Sequence, residues 1–278
     1  MFENRTLFIA TKHEKEKVIK PIFEEGLKVR CLSSTELDTD QFGTFSGEVD
    51  RLLSPLETLN AKVELGHVHS GIDLVIATEG SFGPHPYLPF CAAHDELILL
   101  KDFKHQVSYT ARILSTETNF NSKQIWDRTE LTEFCQQVGF PEHGLILRFD
   151  QHPFKFLVKG IQHWETLFEA YEKCFEKYGS VFVETDMRAM FNPLRMEQIK
   201  QVAQKLVDKI HVKCPACRMP GFDVVSIVPG LPCQICSTPT ESILKKIQGC
   251  SFCDHQEILE FPNGRRNEDP TFCPACNP

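Results

Sequence analysis

Apolar and polar positions over residues 1–210 alternate between short runs and helical spacing. Residues 6–11 form an apolar run closed by Thr11, Lys12 and His13, and residues 14–25 then place Val18, Ile19, Ile22 and Phe23 at helical spacing. This predicts strand, turn and helix, weakest at Pro21, because an interior proline costs about 3 kcal/mol. Residues 28–32 predict a second strand and a first βαβ unit. A polar loop over 33–47 holds Asp38, Asp40, Gly43 and Gly47. Ser54, Pro55 and Glu57 then carry a helix-start signature, for a helix that runs to about Val68. Residues 73–78 predict a strand that empties into a Gly- and Pro-rich loop from Glu79 to Pro86.

Residues 96–103 and 106–114 alternate on either side of Lys104 and His105, predicting an antiparallel hairpin. A helix over 129–138 is followed by a loop at 140–144 that enters a strand at 145–147. A further strand is predicted over 154–158, a strongly periodic helix over 164–178 and the last strand of the sheet over 181–183. Asn192 and Pro193 open a long amphipathic helix through Ile210. Together these elements predict an α/β domain over 1–210, with a mixed central sheet flanked by helices in three layers and a ligand cleft.

Residues 211–278 break the pattern. They hold few large apolar side chains and four Cys-x-x-Cys pairs: Cys214/Cys217, Cys233/Cys236, Cys250/Cys253 and Cys273/Cys276. Two thiolates at that spacing turn toward one ion, so four pairs supply two closed tetrahedral sites that stabilise a fold rather than catalyse. The expectation is a small double zinc-ribbon-like domain with two structural zinc ions, preferred over disulfides, an iron-sulfur cluster or a redox dithiol. Sequential pairing is slightly favoured over a nested arrangement that joins the two middle pairs across a strand-like segment at 241–249.

Composition narrows the function. The 278 residues carry a formal charge of −8 and an apolar fraction of 41%, as expected for a globular chain able to bury a sizeable core. From Cys214 onward, Arg218, Lys245, Lys246, Arg265 and Arg266 face seven acidic residues, so charge does not support nucleic acid as a partner of the tail. No run approaches the roughly 20 apolar residues of a membrane span. No signal peptide is visible at 1–10, and thiols kept reduced for metal point to the cytoplasm.

Candidate chemistry gathers where ligands of α/β sheets bind, beyond strand ends. The turn at Lys12, His13 and Lys15 and the loop from Glu79 to His85 are expected neighbours. The strand end at Glu184, Thr185, Asp186, Met187 and Arg188 offers two carboxylates at alternate positions for a divalent cation, and a guanidinium fork for phosphate or carboxylate. His85 or His143 could move a proton near neutral pH. Arg188 could instead simply neutralise its neighbours. Cys31, Cys91, Cys135 and Cys174 stand outside any pair and read as core or surface thiols. No Gly-x-Ser-x-Gly elbow is present.

The Thr-Lys-His turn, the loop Thr-Glu-Gly-Ser-Phe-Gly-Pro-His at 78–85, the Glu-Thr-Asp-Met-Arg-Ala at 184–189 and the knuckle tail together resemble an uncharacterised bacterial family of unknown function, over essentially the whole chain. The N-terminal domain is also distantly similar to inosine triphosphate pyrophosphatases. That resemblance implies a cleft in which Lys12, Lys15 and Lys62 grip phosphate and Glu57 and Glu79 lie near magnesium. The chain departs from it with His13 where asparagine is usual, with Glu79 standing alone after Thr78, and with the cysteine tail. Two functions follow as expectations. One is a magnesium-dependent hydrolase of a nucleotide or other phosphorylated small molecule, with Glu79, His85, Glu184 and Asp186 catalytic and Lys12, His13, Lys15, Lys62 and Arg188 binding substrate. The other is a regulatory binding module whose tail docks a protein or nucleic acid.

Overall fold

In the computed structural model, which describes residues 1–43, 52–149 and 156–278, the first apolar run is β1 (Thr6–Ile9) and the periodic stretch is α1 (Glu16–Leu27). The next run is β2 (Arg30–Ser33), parallel to β1. Gly47 and Phe154, named in the expected loop and strand, lie outside the described residues. α1 continues through Pro21 because Ile19, Phe23 and Leu27 are buried along one face. Each contributes roughly 2 kcal/mol, which outweighs the roughly 3 kcal/mol lost at the proline.

α2 (Pro55–Ser70) opens on the expected capping box, in which the Glu57 amide donates to Ser54 Oγ and the Ser54 amide to the Glu57 carboxylate. β3 (Leu74–Pro84) runs parallel to β1 and antiparallel to β4 (Ala92–Asp102), which pairs with β5 (Val107–Ser115). The result is a mixed five-stranded sheet in the order β2-β1-β3-β4-β5. Leu59 and Val63 of α2 pack on Phe8, Ala10, Val75, Ala77 and Leu99. Strand alternation leaves Leu7, Ile9, Ile76 and Ile98 for the opposite face. α5 (Pro193–His211) reaches that face through Arg195, and Val207 of α5 packs so closely on α1 that a Cβ on Gly26 would lie 2.4 Å from it.

Two expectations change here. The Gly- and Pro-rich segment after Thr78 is a strand rather than a loop, because every residue from Thr78 to Pro84 finds a partner on β4. Residues 181–183 do not belong to the mixed sheet. They lie in β9 (Val181–Thr185) of a second sheet with β6 (Ser122–Ile125), β7 (Leu145–Arg148) and β8 (Leu157–Ile161), antiparallel throughout and ordered β6-β9-β7-β8. α3 (Arg128–Val138) and α4 (Trp164–Tyr178) cover the face formed by Ile125, Leu145, Leu147, Val181 and Val183. β6 is short and polar, so its sequence carries no strand signal.

These elements form one compact unit, Met1–Val207, and Asp208–Pro278 forms another, the change falling in the last turns of α5. The second unit is a three-stranded antiparallel meander of β10 (Asp223–Pro229), β11 (Ile243–Gly249) and β12 (Gln256–Glu260). No described helix is long and apolar enough to cross a membrane.

Candidate functional site

The eight paired cysteines close two groups: Cys214, Cys217, Cys250 and Cys253 in one, Cys233, Cys236, Cys273 and Cys276 in the other. The pairing is therefore interleaved, neither sequential nor nested. The meander is the reason. Each strand of about 3.4 Å per residue carries the chain from one end of the sheet to the other, so alternate knuckles arrive at the same end.

The first two knuckles are built alike. Arg218 N donates to Cys214 O and Cys214 N to Met219 O, while Ser237 N donates to Cys233 O and Cys233 N to Thr238 O. Arg218 and Ser237 both take left-handed backbone, at φ 62° and 59°. Within the groups, Sγ atoms lie 3.8 Å (Cys214–Cys253), 3.5 Å (Cys217–Cys250), 3.9 Å (Cys233–Cys276) and 3.5 Å (Cys236–Cys273) apart. A tetrahedral ion with metal–sulfur bonds of about 2.3 Å sets its ligands about 3.8 Å apart. The donor sets therefore fit a metal ion in each group.

In the first unit the chemistry collects in a notch where β1 stops at Ile9 and β3 continues to Pro84. The turn that follows β1 lies against the β3 edge thus left unpaired. Its strain is local, because His13 and Glu14 both adopt left-handed backbone at φ 67° and 61°, rare for side-chain-bearing residues. The turn delivers Lys15, buried, whose Nζ donates to Thr78 Oγ1 at 2.9 Å and to Thr78 O at 3.4 Å. Burial first, then the charge of Arg195, pulls the Lys15 amine down to about 7.

Thr78, Gly80 and Phe82 share one face of β3 with their partners Ile98, Glu96 and His94. On that face Glu96 Oε2 accepts from His94 Nε2 at 2.7 Å and from Arg195 Nε at 3.2 Å, and Arg195 Nη1 donates to Met187 O at 2.6 Å. Burial pushes Glu96 up, but Arg195, His94 and Lys15 outweigh it and hold the carboxyl well below the usual range. Gly80 is required here, because an added Cβ would lie 2.4 Å from Glu96 Oε2 and 2.7 Å from Arg195 Nη2. On the α2 face, Lys62 Nζ meets Glu79 Oε2 at 2.5 Å, both side chains nearly excluded from solvent.

Lys15, Lys62 and Glu79 are thus brought together, and Lys12 and His13 adjoin them. Lys12 Nζ lies 3.0 Å from Asp38 Oδ1 and 2.9 Å from Asp40 Oδ2, and His13 Nε2 lies 3.6 Å from the latter. Burial lowers His13 against the pull of Asp40. The other expected residues lie elsewhere. β3 carries His85 about 20 Å along the sheet from Glu79, where its Nδ1 accepts from the Tyr87 and Leu88 amides at the hairpin tip. Glu57 serves the capping box and not the cluster. His143 sits between the end of α3 and the start of α5, its ring against Gly139.

Glu184 pairs with Arg148 on the neighbouring strand of the second sheet. Burial, opposed by Arg148 and reinforced by Asp186, raises Glu184. Asp186, fully buried, accepts from Arg188 Nε, Nη2 and N and from Gly160 N. These are two ion pairs in a different sheet from Glu79. The link to the notch is the Met187 carbonyl on Arg195.

His94, Glu96 and Arg195 were missed, although signals for them exist. His94 and Glu96 fall two apart on the face of β4 that also carries Ile98, and Arg195 lies four residues before Ile199 on the apolar stripe of α5, at 1% exposure. Charged residues on buried faces mark such a network. Cys31, Cys135 and Cys174 are buried and their thiols raised by burial to about 12, 12 and 11, as expected for core residues. Among the described residues, the thiolate groups are the only clusters of three or more metal-ligating side chains with donor atoms within 4.8 Å of one another.

Fold and sites define a two-unit α/β protein with an interleaved pair of four-cysteine groups. The chain belongs to the family described as a domain of unknown function (DUF6671), whose model matches residues 62–278. Among solved structures, protein VC0702 from Vibrio cholerae is similar at 12% identity with a TM-score of 0.28, over 40% of this chain and 63%, less than two thirds, of the other. No curated protein matches the chain.

Proposed function

We propose that the chain is a zinc-stabilised hydrolase of a nucleotide or other phosphorylated small molecule, which it binds in the notch between the turn after β1 and the edge of β3. The observation that carries this reading is the gathering of three buried cationic side chains, Lys15, Lys62 and Arg195, about one strand edge. Lys15 above all makes both of its described hydrogen bonds to Thr78 rather than to a carboxylate. A buried amine is costly even near Glu96 and Glu79, and an anionic ligand offsets that cost.

Zinc is the ion that suits eight thiolates in two closed tetrahedra, and it holds the second unit together rather than reacting. Such ligation needs a reducing compartment, which the cytoplasm provides. Magnesium would enter with the substrate phosphates and take Glu79, whose carboxylate is paired with Lys62 in the structure, since this ion commonly takes one or two carboxylates and keeps several waters. When bound it would supply charge neutralisation and an activated water. The chain's own work is binding. Lys15 and Lys62 would hold phosphate oxygens, and Arg195 and Glu96 would fix the β3 edge. Low dielectric around the notch strengthens these contacts, which favours charge developing in the transition state.

A screen of nucleoside triphosphates, nucleotide sugars and sugar phosphates with magnesium tests the reading. Lys15→Ala should raise KM, and Glu79→Gln should mainly lower kcat. Thermal protection by one of these compounds without turnover would favour a regulatory binding module instead. The absence of both turnover and thermal protection across the whole screen would overturn the anion site.

A further inference from the structure

The two thiolate groups share ligand type and sulfur spacing but differ in exposure. In the first group Cys214 is buried and Cys217, Cys250 and Cys253 are half-buried. Phe222, itself buried, lies beside it, its ring 5.7 Å from that of His255, whose carbonyl accepts from Cys250 N. In the second group Cys233 and Cys273 are buried, but Cys236 and Cys276 are exposed, with their Sγ atoms 3.4 Å apart. The neighbours Ile235 and Phe272 are themselves 74% and 67% exposed and give no cover.

We infer that Cys236 and Cys276 are an oxidant-responsive pair, whose oxidation by hydrogen peroxide makes the second group release its ion while the first group keeps its own. The inference rests on the zinc reading above. Reactivity of a thiolate follows access as well as charge, and the two groups differ in access. Cys236 Sγ attacks the peroxide oxygen, the O–O bond breaks, and hydroxide leaves as a sulfenic acid forms. Cys276 Sγ then attacks that sulfur and expels a second hydroxide. Two electrons pass from two thiolates to the peroxide, two protons convert the hydroxides to water, and one disulfide remains. The ion is left with two ligands of four. Its loss frees the segment around Glu268, which is anchored to this knuckle by Gln234 N donating to Glu268 O and Glu268 N donating to Pro232 O.

The test uses the full chain loaded with zinc, with Cys91→Ser to remove the half-buried thiol outside both groups. Zinc is counted by native mass spectrometry before and during treatment with hydrogen peroxide near neutral pH, and cysteines are mapped by peptide analysis. The expected result is passage from two ions to one at least about tenfold faster than from one to none. It should be accompanied by a Cys236–Cys276 disulfide and reversed by reductant plus zinc. Loss of both ions together, first oxidation within Cys214, Cys217, Cys250 and Cys253, or retention of both ions would each overturn the inference. Fewer than two ions before peroxide would sink the zinc reading itself, and this inference with it. Cys236→His, which keeps four ligands, should hold two ions and resist peroxide; release at the unaltered rate would also count against the pair.

Discussion

Replacing Lys15 with Met should make the first unit more stable, and by an amount that depends on pH in a defined direction. The amine falls from 10.5 to about 7 on folding. At roughly 1.4 kcal/mol per pH unit, keeping it charged in the fold costs about 5 kcal/mol. The unfolded chain binds the extra proton between those two values, so stability rises with pH across that window. Expressed against a side chain that never ionises, the cost is about 5 kcal/mol near pH 6, about 3 near pH 8 and about 1 near pH 10. Met fills similar space, and loss of the Thr78 hydrogen bond takes back about 1 kcal/mol. The variant's advantage should therefore shrink by about 4 kcal/mol between about pH 6 and pH 10.

Urea unfolding followed by tryptophan fluorescence measures this directly, because both tryptophans, Trp126 and Trp164, lie in the first unit. A variant that is less stable than the parent by the same amount at every pH would refute the reasoning. It would mean that Glu96 and Glu79 already compensate a charged amine. A stabilised variant that no longer binds phosphorylated ligands is the signature of a residue kept for function at the expense of the fold.

Arg195→Met should destabilise the first unit by about 3–5 kcal/mol, since it strands the fully buried Glu96 without its guanidinium. The double change with Glu96→Gln should recover much of that loss in the same urea assay. Asp186→Asn should lower the melting temperature rather than alter ligand affinity, because one buried carboxylate accepts from both Arg188 and the Gly160 amide; an unchanged melting point with weakened ligand binding would return Asp186 to the binding site. Stripping metal with a strong chelator should abolish slow amide exchange in β10–β12 while leaving tryptophan fluorescence unchanged, which mass-resolved hydrogen exchange can check.

Local signals carried much of the architecture. The capping box at Ser54, the helices opened by Pro55 and Pro193 and the alternation in β4 and β5 each depend on neighbours within a few positions, so they are legible in the chain. The eight paired thiols are legible for the same reason, because Cys-x-x-Cys is a local geometry.

Partner choice is not local. Which knuckles come together was decided by strands that carry the chain alternately to the two ends of a meander, a consequence of antiparallel order that no spacing between cysteines encodes. The Gly- and Pro-rich segment after Thr78 became strand because β4 supplied hydrogen-bond partners, overriding turn-forming composition. That conversion carried His85 away from Glu79. The split into two sheets separated Glu184 and Asp186 from the lysines, and only packing of α5 against β4 could bring Arg195, Glu96 and Lys15 within reach of one another. Sequence alone marked most of the elements and the eight paired thiols that could hold metal. Tertiary structure decided which charges share a buried volume, because in low dielectric each is tolerated only beside the partner that the fold delivers.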